Sequence, residues 1–484
     1  MIMRSGGFLF VRFYLVFAFL FILASSLFSP LPLSSIYVAG NVRDDDPVPQ
    51  ELEAFQGYLD PAPRGMDIRY AWTLAGGHGE NIRIVDIEYN WNLNHNDLLH
   101  VTSDLFIFVK GVNPLPEQEL NEGNKNHGTA VLGELVAAPD GIGVTGIAYS
   151  AQLGLINPLT QGSSPDVAGA IKRATSVMRP GDVMLLEQQS FAGPRLDLQN
   201  GRGLLPIEYE PDVFAAIRAA TAKGIVVVES AGNGFENLDH PAYDGLFDRN
   251  KRDSGAIIVG AGLPQGGVYG PGPDLMRTEE SNYGACVDVQ GWGRFVATTG
   301  YGDLRREQGE NNWYTDLFGA TSGATAMVAG AAAVLQSIIK ERGLAPLAPQ
   351  ELRRLLTMTG TPQTTGLDER IGPRPNIRAA IAVLDGDVSV LEPKITRIKF
   401  KKSGGKLIVD GENFLAGDSV IEIDGQAATR LKYPSGYVLS NGTTTRIMTK
   451  DNVSQMLPPG VDVSITVFTP RTGKRSQAQS YRRQ

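Results

Sequence analysis

The chain predicts an α/β fold, a mostly parallel sheet with helices on both faces, followed by a small all-β sandwich. Three observations carry that prediction. Between Asn81 and Val259, short β-rich runs are apolar throughout rather than alternating, which marks strands buried on both faces. Helical segments that end near Gly or Pro separate those runs, as parallel crossovers require. Beyond Gly386 the helices stop, and short β-rich runs follow one another across turns.

In chain order, the expected strands of the first part are residues 82–87, 153–156, 183–186, 225–229 and 257–259. The expected helices are 166–178 and 211–223, then a wholly apolar, small-residue helix that opens near Ser322 and stops at Gly343, and two shorter ones at 349–359 and 376–384. The second part offers strands at 394–400, 406–409, 420–423, 428–433 and 461–468, with turns such as Ser403-Gly404-Gly405 between them.

Ahead of these elements, Arg4 and Arg12 precede an apolar core at 13–24 that gives way to Ser25, Ser26, Pro30 and Pro32. That is the pattern of a secretory signal, with cleavage expected after Ser26 or Gly40; an uncleaved membrane anchor is the alternative, because residues 8–11 lengthen the apolar stretch. Residues 1–40 are therefore read as signal or anchor, 41–65 as a proline-rich acidic linker, 66–385 as the α/β domain and 391–484 as the sandwich. The body is expected to be secreted or extracytoplasmic, in a periplasm or at a cell surface.

Composition narrows the function classes. The 484 residues, 42% hydrophobic, suit globular domains, and Cys286 as sole cysteine excludes an intrachain disulfide and a Cys-based zinc site. Charge is divided unevenly: residues 391–484 carry +7 and the remainder −15. A basic module on an acidic body suits contact with an anionic cell surface or envelope, although a solvated face has the same composition. No Lys/Arg run with interleaved aromatics points to nucleic acid.

Chemistry in parallel sheets gathers at the carboxyl ends of strands. Asp86 closes the first run, His127 sits in Asn126-His127-Gly128-Thr129, and Asn233 follows the run that ends in Ser230-Ala231-Gly232. Ser322 stands at the start of a buried helix, where unpartnered amides and the helix dipole favour an oxyanion. Each residue alone has a plain structural reading: a cap, a turn or a satisfied histidine. Together they supply a nucleophile, a general base, an orienting carboxylate and an amide donor, the parts that acyl transfer needs.

With these motifs the chain resembles the subtilisin-like serine peptidases, the subtilase family. Ile84-Val85-Asp86 with His95-Asn96-Asp97-Leu98 resembles its aspartate motif, and His127-Gly128-Thr129-Ala130-Val131 its histidine box. Ser230-Ala231-Gly232-Asn233 resembles its oxyanion segment, and Thr321-Ser322 through Ala333 its serine box. The resemblance implies a serine endopeptidase with Asp86, His127 and Ser322 as triad, in the order Asp-His-Ser, and Asn233 at the oxyanion hole, acting on protein or peptide substrates through an acyl-enzyme. It implies no cofactor for the chemistry; structural calcium, common in the family, would have to come from scattered carboxylates and carbonyls, since no D-x-D-x-D loop is present. Residues 41–65 are too short for the family's usual prodomain, which implies folding or activation by another route. The second part, with Pro393-Lys394-Ile395 and Asp410-Gly411-Glu412-Asn413-Phe414, resembles bacterial immunoglobulin-like modules of the IPT/TIG kind.

Departures from the family pattern are informative. Ala320 and Ala326 stand where the serine box usually has Gly and Pro; a methyl at 320 calls for negative φ, so the backbone beside Ser322 is expected to differ, with Gly319 taking over the flexible role. Glu187, Gln188 and Gln189 replace a small substrate-binding strand and, with Ser230, Ala231 and Gly232, are the candidate substrate-binding residues. Glu187 and Glu229 both end apolar strands; either they pair with a basic residue of a substrate or they are buried and satisfied by backbone or by loop residues such as Arg249 and Lys251. The altered strand and box also suit a second reading, a catalytically impaired binding scaffold on the same fold.

Overall fold

The apolar runs pair into one seven-stranded, wholly parallel sheet. A computed structural model describes residues 51–111, 118–159, 165–264, 274–387, 392–415, 417–428, 430–434, 443–469 and 474–484. The signal or anchor expected at 1–40 lies outside the described residues. The strands are β1 (Arg83–Ile87), β2 (Ile107–Val109), β3 (Gln152–Ile156), β4 (Val183–Leu186), β5 (Val226–Ser230), β6 (Ile257–Gly262) and β7 (Val289–Trp292), in the order β2-β3-β1-β4-β5-β6-β7. From β1 the chain runs to the edge at β2, fills the gap with β3 and then crosses to place β4 on the other side of β1. The strand order reverses there, which makes the carboxyl ends of β1 and β4 the expected place for a site. Five of these strands were expected; β2 is a short edge strand of partly exposed residues, and Gln290 and Gly291 interrupt the apolar run of β7.

Two-residue periodicity sorts the sheet into two cores. Ile84, Leu153, Leu155, Val183, Leu185, Val226 and Val228 face one layer, which holds α1 (Gln118–Val136) and α4 (Ala320–Glu341). Val85, Ile87, Met184, Leu186 and Val227 face the other, which holds α2 (Val167–Val177) and α3 (Pro211–Ala222). α4 is long and apolar enough to cross a membrane, but its residues from Thr321 to Ile339 are buried. Its small residues let the sheet and α1 press close on every side; Gly330, for instance, leaves 2.8 Å from a Cβ position to Ile147. A two-stranded ribbon, β8 (Val296–Thr299) and β9 (Tyr314–Phe318), leads into α4, and α5 (Pro349–Thr359) and α6 (Ile377–Leu384) close the domain.

One boundary expectation is corrected. The described part of the presumed linker, from residue 51, belongs to the body: Leu52, Tyr58 and Leu59 are buried, and the Tyr58 hydroxyl donates to the Ala297 carbonyl at 3.0 Å. Its prolines mask a segment whose aromatic and leucine side chains fill the core.

The C-terminal part forms two antiparallel sheets. One contains β10 (Lys394–Lys401), β11 (Lys406–Leu415) and β13 (Thr443–Thr449), the other β12 (Val420–Ile423), β14 (Asp462–Thr469) and β15 (Gln479–Arg482). Leu407, Val409 and Ile447 from the first meet Ile421, Ile465 and Val467 from the second, which makes a small sandwich. The strand expected at 428–433 is reduced to Leu431–Lys432, and the threonine-rich β13, which lacks an apolar run, takes its place beside β11. Asn413, in the turn-like motif of β11, adopts φ 58° at a bulge, a left-handed conformation that Asn tolerates.

Candidate active site

His127 lies well inside α1, on the face turned to α4, rather than at a strand end. Its Nε2 is 2.9 Å from Ser322 Oγ and its Nδ1 is 2.6 Å from Glu88 Oε2. Phe318 meets the imidazole edge to face at 5.5 Å, and Gly128 makes the placement possible, because a methyl there would drive into the Asn90 carbonyl. α1 can therefore rest directly on the loop after β1.

The carboxylate beside His127 is Glu88, not Asp86, and this corrects the expected triad geometry. Residues 84, 86 and 88 share one face of the strand and its extension, so both acids point toward α1 and α4. Asp86 is one step too deep. It is fully buried; its Oδ2 accepts from Trp91 Nε1 at 2.7 Å, while Oδ1 has no partner. Burial, reinforced by the charge of Glu88, pushes the Asp86 carboxyl well above the usual carboxylate range. The Asp86 carboxyl is held by the indole, and it is Glu88 that bonds the imidazole. Glu88, one strand repeat further out, reaches Nδ1, and its Oε1 accepts the Tyr89 N–H at 2.7 Å. In the sequence Glu88 had only its two-residue offset from Asp86, which places it on the same strand face. The His95-Asn96-Asp97-Leu98 motif is structural: Asp97 accepts from Val144 N–H at 3.0 Å and from the Tyr314 hydroxyl, and burial pushes its carboxyl up to about 7.

Ser322 is the third residue of α4 and only 5% exposed. At this helix start the N–H groups of Ala320 and Gly323 are held by Gly293 and Gly319, and that of Thr321 by Asn233 Oδ1 at 3.1 Å. Asn233 Oδ1 also accepts from the Thr321 hydroxyl at 2.7 Å, and that hydroxyl accepts from Ser230 Oγ at 2.6 Å. With its carbonyl end fixed on α4, the Asn233 amide has its NH₂ end left to donate. The backbone expectation at 320 is also corrected. Ala320 does not retreat to negative φ; it takes φ 54°, and Gly319, with φ 163°, is extended and is needed instead because a Cβ there would strike the Gly293 carbonyl. Ala326 is an ordinary buried residue of the uninterrupted helix.

Most candidate substrate-binding residues serve the scaffold. Gln188 Nε2 donates to the Ile87 carbonyl at 2.6 Å, Gln189 Oε1 accepts the Asn233 N–H at 2.5 Å, and Ala231 is enclosed. Gly232 has φ 89°, and its N–H donates to Ser230 Oγ at 3.1 Å. Glu187 is different: 6% exposed, with both carboxyl oxygens unpartnered, it sits beside Ser322. Glu229 is on the opposite face. It accepts the Glu208 N–H at 3.3 Å, and Arg249 acts on it electrostatically, which is close to the structural alternative. Among the described residues no group of three or more His, Cys, Asp or Glu is arranged to hold a metal ion.

The family model of the subtilase family matches residues 90–373, well over half the chain, and begins just past both acids. Subtilisin Savinase of Lederbergia lenta is 27% identical over 227 residues, which cover 47% of this chain and 68% of the relative. An alkaline protease of Shouchella clausii is 27% identical over the same length but is covered for only 48%. The intracellular serine protease of Paenibacillus polymyxa is 24% identical over 331 residues, 66% of this chain and 88% of the relative. Among solved structures, an epidermin leader peptide processing serine protease of Staphylococcus aureus aligns over 70% of this chain and 83% of its own, at 18% identity and TM-score 0.48. The motifs around His127 and Ser322, the parallel sheet that carries them and the matched span agree: the chain belongs to the subtilase family.

Proposed function

We propose that this chain is an exported serine endopeptidase that works through Glu88, His127 and Ser322. One observation carries the reading: a single imidazole bridges a helix-start hydroxyl at 2.9 Å and a carboxylate at 2.6 Å. Ser322 Oγ attacks the scissile carbonyl as its proton passes to His127 Nε2. Glu88 accepts the Nδ1–H, which fixes the tautomer and stabilises the imidazolium. The tetrahedral oxyanion is held by the Ser322 N–H at the positive end of α4 and by Asn233 Nδ2. His127 then gives the proton to the leaving amine, the Ser322 ester remains as acyl-enzyme, and water attacks it by the same route in reverse. Protein or peptide substrates and an extracytoplasmic location belong to the same proposal, as does contact of the basic, immunoglobulin-like C-terminal sandwich with a cell surface or envelope.

The test is a fluorophosphonate probe together with a peptide digest. The full chain is expected to be labelled and to cleave peptide bonds, and Ser322→Ala to do neither; labelling that survives the substitution would place the nucleophile elsewhere.

A further inference from the structure

Glu187 is the one buried carboxyl beside the nucleophile that the proposed mechanism leaves idle. It follows β4 on the face shared with Val183 and Leu185, so it points into the layer of α1 and α4. Both of its oxygens are shielded from solvent, neither has a partner at full hydrogen-bond geometry, and the Ser322 hydroxyl is the hydrogen-bonding group beside them. The groups that act on it are Glu88 and Asp86 at the end of β1, Glu134 on α1, and the Ser322 hydroxyl at the head of α4. The three acids oppose its ionisation, and a hydrogen bond from the Ser322 hydroxyl favours it. Glu134 is itself fully buried with both oxygens unpartnered, so it brings no cation to the cluster.

We propose that Glu187 is a positioning residue that switches the nucleophile with pH: neutral, it leaves the Ser322 proton on the hydrogen bond to His127; ionised, it draws that proton to itself and shuts the peptidase off on the alkaline side. The hydroxyl has one proton and two candidate acceptors. While Glu187 carries its own proton it accepts weakly, and Ser322 Oγ–H donates to His127 Nε2, the productive arrangement at 2.9 Å. Once Glu187 is a carboxylate, a charged acceptor in a water-poor site outcompetes the neutral imidazole. Its charge also opposes the negative charge that develops on the substrate oxygen. Burial, followed by the charges of Glu88 and Asp86, pushes the Glu187 carboxyl well above the usual carboxylate range, so the neutral form is the resting one and the switch operates as pH rises.

The inference rests on the peptidase reading, and the experiment separates the two. The full chain, Glu187→Gln and Glu229→Gln are compared in steady-state peptide cleavage from about pH 5 to about pH 11, with circular dichroism at each pH to register folding. The unmodified chain is expected to lose kcat by about tenfold per pH unit along an alkaline limb while still folded. Glu187→Gln, neutral at every pH, is expected to hold its plateau to higher pH, and Glu229→Gln to follow the unmodified chain. The rate of fluorophosphonate labelling of the unmodified chain is expected to fall along the same limb; this readout stands even if Glu187→Gln does not fold. A folded, active chain with no alkaline limb in cleavage or labelling overturns the proposal, as does a limb that Glu187→Gln leaves unchanged or that Glu229→Gln also removes. A chain that neither cleaves nor labels at any pH overturns the peptidase reading instead.

Discussion

Glu187 and Glu229 end neighbouring parallel strands and are both enclosed, yet they live in different chemistry. Glu187 continues the parity of Val183 and Leu185 and enters the layer of His127 and Ser322. Glu229 continues the parity of Val227 and enters the layer of α2 and α3, where it meets Glu208. A shift of one residue on a strand carries a side chain from one face of the sheet to the other. The same rule works within β1, where Asp86 and Glu88 share a face and differ only in how far along it they stand. For a carboxyl in this fold, face decides whether it meets Ser322 and His127, and depth decides what it touches there.

Substitutions can break or sharpen that comparison, and the largest effect belongs to depth. Glu88→Gln is expected to lower kcat by about 10⁴-fold, because an amide presents the wrong partner to Nδ1–H, whereas Asp86→Asn is expected to keep turnover within about tenfold. Steady-state kinetics decide it; a larger loss for Asp86→Asn would return the orienting role to that residue. Next comes the oxyanion donor. Asn233→Ala is expected to reduce kcat by about 10²- to 10³-fold, mostly without a change in KM, and an unaltered kcat would show that the amide does not meet the transition state.

On the other face the readout is stability. Burial first, then the neighbouring Glu208 carboxyl, pushes Glu229 well above the usual carboxylate range. A group whose folded value is raised holds its proton in the folded state after the unfolded chain has released it. Folding then weakens as pH rises above the ordinary Glu value and continues to do so until the folded value is reached, by at most about 1.4 kcal/mol per pH unit. Glu229→Gln is expected to flatten that slope with no loss of turnover; denaturant titrations at several pH values that stay parallel to those of the unmodified chain would contradict it. The smallest effect is at Ala320. Its left-handed φ of 54° costs about 1 kcal/mol, partly offset by the extra backbone entropy that glycine loses, so Ala320→Gly is expected to stabilise by a few tenths of a kcal/mol up to about 1 kcal/mol. A lower melting temperature for the glycine variant would rule out strain at that position.

Much of this was legible in the chain because it depends on local rules. Continuous apolar runs specified five of the seven parallel strands, and the small-residue run specified α4. His127, Asn233 and Ser322 stood out through their neighbours. β13 was missed because its register, not its composition, makes it a strand, and residues 51–65 were misread because prolines outweighed buried Leu52 and Tyr58. Asp86 stood out because it closes the apolar run, whereas Glu88 lies just past it and only the seating of α1 brings it to His127.

By itself the sequence determined the α/β class and singled out His127 and Ser322 as candidates, since apolar periodicity and short motifs are properties of contiguous residues. Which carboxylate meets the imidazole, which buried acid stands beside Ser322, and whether Ala320 yields to its surroundings were decided only by the tertiary structure. Those outcomes depend on distances of a few ångströms between elements far apart in the chain: the seating of α1 on the loop after β1, made possible by Gly128, and the clamping of the α4 start by Asn233 and Gly293. No contiguous stretch encodes such a distance, because it is the packing of two layers against one sheet that sets it.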